Sequence, residues 1–158
     1  MPPSPIVEET LLIVEGREDE RFFKALVRDM SITKIQIEGI GGKSELPRNL
    51  KALRGRTGFD NLTTIGLVRD ADTHPKRTFQ SIGSALKQAD FPVPKRPLEI
   101  VTGLDFRVAV MILPVGDEAS SGMIEDVCLS SVGSEPVISC VDQYFDCLIQ
   151  QNIDLPKS

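Results

Sequence analysis

Apolar positions follow two alternating rhythms along this chain. A short continuous apolar run stands at Thr10 to Val14, and further strands are read at Thr33 to Ile40, Leu62 to Val68 and Val108 to Leu113. Runs of that length predict strands buried on both faces. Between them the apolar residues recur at helical spacing. Phe22 or Phe23 with Leu26 and Met30 predict a helix from Glu18 to Met30. Glu18, Asp19 and Glu20 crowd its first turn, where the helix dipole favours negative charge. The second run ends among Gly39, Gly41 and Gly42, and a basic helix follows. Leu46, Leu50 and Leu53 mark its buried stripe, with Ser44 as N-cap and Pro47 in its first turn. Phe79, Ile82, Leu86 and Ala89 mark a third helix, before Pro92, Pro94 and Pro97 break the pattern. Gly116 to Gly122 reads as a loop, with a short helix from about Met123. Ile138, Val141, Phe145, Leu148 and Asn152 give a last amphipathic helix.

Strands separated by helices of this length need right-handed crossovers, and so a mostly parallel sheet. The class expected is α/β: a Rossmann-like sheet flanked by helices, with a C-terminal helical extension. A chain of 158 residues is about one domain. The expectation is a single domain over 1–158, with the core at 10–113 and the C-terminal loop and helices at 114–158. At 41% hydrophobic and 26% charged residues, the composition is neither disordered nor membrane-like. The longest apolar run, Val108 to Leu113, is far too short to cross a bilayer. Met1-Pro-Pro-Ser-Pro lacks the basic opening of a signal peptide. The three cysteines, Cys128, Cys140 and Cys147, form no CxxC pair and read as buried thiols of a reducing cytoplasm.

The net charge of −5 excludes a general basic coat for nucleic acid, so any such contact is a local patch. Lys43, Arg48, Lys51, Arg54 and Arg56 oppose only Glu45. That segment carries +4 and the remainder of the chain −9. A solvated helix face is the default reading. The other is a patch facing the phosphates of DNA or RNA, through Lys43, Arg48, Lys51 and Arg54. With no Trp and one Tyr, base stacking does not dominate binding.

In a parallel sheet the loops at the carboxyl ends of the strands share one edge, where ligands bind. Glu15 follows the first strand, and Asp70 and Asp72 follow the third. Converging carboxylates repel unless a cation or proton neutralises them. Oxygen ligands without His or Cys select hard cations, Mg²⁺ or Mn²⁺ before Zn²⁺. Gly42-Lys43-Ser44 is not a P-loop, because Ile37 stands where that motif needs its first glycine.

Leu12-Ile13-Val14-Glu15-Gly16, then Glu18-Asp19, then Val68-Arg69-Asp70-Ala71-Asp72 about fifty-five residues on, resemble the Toprim domain. Gly41-Gly42 stands where that family places its middle glycines. The domain serves topoisomerases, bacterial primases, recombination proteins and the overcoming-lysogenization-defect nucleases. The resemblance covers roughly Thr10 to Leu113 and is nearest to small stand-alone bacterial members akin to the nuclease branch. It implies Glu15 as general acid or base and Asp70 and Asp72 as ligands of Mg²⁺ or Mn²⁺. Glu125, in a Gly-x-x-Glu from Gly122, and Asp19 are further candidate ligands. Topoisomerase and primase activity are not expected to carry over, since 158 residues are too few to hold the additional domains those families attach.

The leading expectation is thus Mg²⁺-dependent phosphoester hydrolysis or transfer, acting on nucleic acid. The alternative is a non-catalytic Toprim scaffold that binds metal, nucleotide, a protein partner or a second copy. A third reading is a haloacid-dehalogenase-like phosphatase. That family carries its Asp-x-Asp on the first strand and usually Thr or Val where this chain has His74, so it ranks last.

Overall fold

A computed structural model describes residues 4–103, 105–114 and 121–153. Positions 116–120 of the expected loop lie outside them. Among the described residues the strands are β1 (Thr10–Val14), β2 (Ile35–Gly39), β3 (Thr64–Asp70), β4 (Val101–Thr102) and β5 (Arg107–Leu113). The helices are α1 (Arg17–Asp29), α2 (Leu46–Leu53), α3 (Pro75–Gln88), α4 (Ile124–Val132) and α5 (Pro136–Gln150). The strands form one sheet in the order β2-β1-β3-β5-β4. All pairings are parallel except that of the short β4, which runs antiparallel to β5. The α/β class, the mostly parallel sheet and the C-terminal helices are as the apolar rhythm predicts.

Strand alternation divides the sheet into two faces. Leu11 and Ile13 of β1, Ile65 and Leu67 of β3, and Val108 and Val110 of β5 pack with Leu46, Leu50 and Leu53 of α2 and Ile82 and Leu86 of α3. This is the main core. α1 lies against β2, the edge strand. Only Phe23 of its expected stripe is buried, while Leu26 and Met30 are exposed. A helix over a sheet edge can bury only part of its apolar stripe.

The chain leaves β1 toward β2 on one side, then crosses back past β1 to β3 on the other. The point between β1 and β3 is therefore a topological switch point. In open α/β sheets the crevice at the carboxyl ends there is the usual ligand site.

Several boundaries move, with consequences for that edge. β3 runs to Asp70, so Asp70 is the last residue of the strand itself. The chain turns at Gly41 and Gly42, with φ of 80° and 118°, and then makes a 3₁₀ turn over Lys43–Glu45. Ser44 thus lies inside this turn and does not cap α2. Pro47 does stand in the first turn of α2. β4 has no apolar run of its own and was not expected.

The chain divides into two compact units, the first ending at Ile124 and the second beginning at Glu125. The second contains nearly all of α4 and the whole of α5. No residue of α5 is buried, and Val137, Tyr144 and Ile149 are among its exposed apolar residues. The cysteines belong to this unit, and all three are exposed free thiols. The expectation of buried thiols is corrected: the helices that carry them bury almost none of their side chains. Among the described residues no helix is long and apolar enough to cross a membrane.

Candidate functional site at the carboxyl edge of the sheet

Glu15 follows directly on β1, where the backbone turns into α1. Its carbonyl accepts the N–H of Gly42 at 3.0 Å, and the Val14 carbonyl accepts that of Ile40 at 3.1 Å. These bonds tie the glycine turn after β2 to the end of β1. Gly39 is needed there, because a Cβ on it would stand 2.7 Å from the Gly16 carbonyl oxygen. The same closeness sets Lys43 beside the strand ends.

The side chain of Glu15 meets Arg69. Nε of Arg69 donates to Oε2 of Glu15 at 3.2 Å, with side-chain exposures of 6% and 18%. Arg69 is the one buried polar or charged residue among those described. Desolvating a guanidinium costs several kcal/mol unless a partner compensates it, and Glu15 is that partner. Arg69 was not among the sequence candidates. The signal was available: a single cation closing an otherwise apolar strand, immediately before Asp-x-Asp.

Asp70 projects to the opposite face from Arg69 by strand alternation. Its Oδ1 accepts the N–H of Ile124 at 3.0 Å. Asp72 has φ of 49°, a left-handed conformation that Asp tolerates better than most residues. Its N–H and carbonyl bond the Gly122 carbonyl and N–H at 2.9 and 2.8 Å. Its carboxylate is ion-paired with the Lys43 ammonium. Both side chains are partly exposed, and such a pair contributes about 0–1 kcal/mol.

The edge therefore carries Glu15 after β1 and Asp70 and Asp72 at the end of β3, each with a partner of its own. Among the described residues, no three of His, Cys, Asp and Glu come together as a group able to hold a metal ion. Alternation along β3 is one reason, since Glu15 is drawn to the Arg69 face and Asp70 leaves from the other.

The outlying candidates have other tasks. Asp19 turns back to accept the Gly16 N–H at 2.7 Å, fixing the start of α1. This is half of a capping box, as Gly16 has no side chain to return the bond. Glu125 is an exposed residue in the first turn of α4, in the second unit. His74 is exposed and stands at the N-terminal end of α3.

The cations of the basic segment have different partners. Arg54 lays its guanidinium over three rings, 4.9 Å from Phe91 and 5.7 Å from both Phe59 and Phe106. It also donates to the Asp90 carbonyl at 3.0 Å. Arg56 is bound to Glu38 and the Ser4 carbonyl. Lys43 is held by Asp72. Arg48, 83% exposed and 3.4 Å from Glu45, and the exposed Lys51 remain as solvent-facing cations.

The fold is an open, mostly parallel α/β sheet with Glu15, Asp70 and Asp72 at its carboxyl edge. The chain belongs to the family described as Protein of unknown function (DUF3226), whose model matches residues 9–157. No curated protein matches the chain.

Proposed function

We infer that this edge handles phosphoesters with the aid of a divalent cation, as a Toprim-like site. The carrying observation is the placement of Glu15 and of Asp70 and Asp72 at the carboxyl ends of β1 and β3, on either side of the switch point. The order of motifs, Glu-Gly after the first strand and Asp-x-Asp at the third, supports the same reading.

The donor chemistry fits a hard cation. Mg²⁺ keeps several waters and is commonly held by one or two carboxylates plus substrate phosphate. Asp70 and Asp72 would supply that share. The Lys43 ammonium at Asp72 marks a carboxylate that already accommodates a cation. The ion, when bound, neutralises charge on the phosphoryl group and activates a water. Glu15 moves the proton, and Arg69 holds its carboxylate in place. Arg48 and Lys51 supply positive potential toward a polyanion, DNA or RNA.

The rival reading, a non-catalytic scaffold that binds a protein or nucleotide, draws on one observation. Each of the three carboxylates is already engaged within the protein.

Hydrolysis of a chromogenic phosphodiester by the full chain, with and without Mg²⁺ or Mn²⁺, separates the two. Turnover that needs the metal and falls by about 10²-fold or more in Glu15→Gln supports the enzyme. Absence of metal-dependent turnover, or equal turnover in Glu15→Gln, leaves the scaffold.

A further inference from the structure

Arg69 presents an unusual imbalance. Its side chain is 6% exposed, and a buried guanidinium is tolerated only when paired. Yet the pairing is minimal: one bond, from Nε, at 3.2 Å. Arg–carboxylate pairs are frequently two-pronged, with N···O near 2.7–2.9 Å. The guanidinium carries five N–H donors in a rigid fork. The four on the two Nη atoms bond none of the described residues. Equally, no buried side-chain nitrogen or oxygen among the described residues is left without a partner. The Nη donors therefore reach solvent at the strand ends, while the stem is enclosed by the sheet.

Two features aim this fork at the crevice. Arg69 is the penultimate residue of β3, so its head reaches the carboxyl edge. Glu15 engages Nε from the end of β1, on the other side of the switch point. A planar cation with free paired donors, pre-oriented and poorly hydrated, suits two oxygens of a phosphoryl group.

We propose that Arg69 is the oxyanion receptor of this site, with its Nη groups binding the phosphoryl oxygens of the substrate and Glu15 positioning it. Arg69 and Glu15 thus have paired tasks on one face of the sheet, with Asp70 on the other. This rests on the phosphoester reading above but is tested without any metal.

The experiment titrates the full chain, in chelator, with inorganic phosphate and separately with dimethyl phosphate. Nitrogen-resolved NMR follows the Arg69 Nε–Hε resonance, assigned by its loss in Arg69→Lys. The expected result is a saturable shift with either probe and an affinity about tenfold weaker in Arg69→Lys, which keeps the charge but not the fork. Glu15→Gln, which removes a neighbouring negative charge, should bind phosphate at least as tightly as wild type. If Arg69→Lys does not fold, the wild-type titration and Glu15→Gln decide. An unmoved resonance, or unchanged phosphate affinity in folded Arg69→Lys, overturns the proposal and leaves Arg69 as a counter-ion of Glu15. Phosphate binding at Arg69 with no metal-dependent hydrolysis upholds the receptor and removes the enzymatic reading. Hydrolysis with an unmoved Arg69 resonance does the reverse.

Discussion

Arg69 donates through Nε to Oε2 of Glu15 at 3.2 Å, joining the carboxyl end of β3 to that of β1 beyond the last backbone bonds between them. The pair is a mechanical tie as well as a feature of the site. Removing one partner of a buried pair leaves the other uncompensated. Arg69→Met should therefore cost about 3 kcal/mol in urea unfolding. Glu15→Gln in that background should restore part of the loss, since the unpaired charge is gone. Strictly additive losses in the two variants would mean that the residues do not interact.

Asp72 combines a left-handed backbone, two backbone bonds to Gly122 and an exposed pair with Lys43. Asn tolerates the same backbone, so Asp72→Asn should shift stability in chelator by less than about 1 kcal/mol. A β-branched residue does not, so Asp72→Val should cost about 1–3 kcal/mol. Thermal melts compare them directly. Equal stability of the two variants would contradict the conformation described.

The cations of the basic segment should divide by variant. Arg54→Ala should destabilise the fold by about 1–2 kcal/mol, through lost cation–π contacts and the bond to Asp90. Arg48→Glu with Lys51→Glu should leave stability nearly unchanged. The same double variant should lower nucleic-acid affinity and reduce the salt slope by about one unit per lost phosphate contact. Unchanged affinity and slope would make this helix face purely solvating.

Acid should loosen the other edge of the sheet. Burial pushes Glu38 up, but bonds from Arg56, Ser4 and Gln36 outweigh it and hold the carboxyl below its ordinary value of 4.5. The Lys24 side chain, with help from the Gly39 N–H, likewise lowers Glu20. A depressed carboxyl contributes stability that is present above the unfolded value and lost as pH falls through the folded one. Glu38→Gln should therefore be less stable than wild type at pH 7. The gap should close as pH falls below 4.5, the unshifted value for this group. A gap that is constant with pH would mean that Glu38 stabilises through packing alone.

Much of this fold was legible because it rests on apolar runs. TLLIV and the run into Val68 are largely buried, and their length and content suit a central parallel strand. Leu46, Leu50 and Leu53 are buried as their spacing requires. The placement of Glu15, Asp70 and Asp72 at strand ends follows from the same runs. The partners of the charges were not legible. Lys43 reaches Asp72 across 29 positions, and Arg54 finds rings at 59, 91 and 106. Such meetings depend on how loops fold back, which local spacing does not encode. Asp19 shows the same limit in miniature, since an acid in a first turn suits a cap and a ligand equally well. The cysteines misled for a different reason: their burial was expected from residue type, whereas α4 and α5 bury almost nothing.

The proposed site needs Asp70 and Asp72 to hold a divalent cation at the carboxyl edge of the sheet. Its most direct test is a crystal of the full chain soaked in Mn²⁺ and phosphate, read by anomalous scattering. A manganese peak bonded to the Asp70 and Asp72 carboxylates is expected, with Lys43 displaced from Asp72 and phosphate on the Arg69 guanidinium. A map with Lys43 still on Asp72 and no manganese at this edge would contradict it.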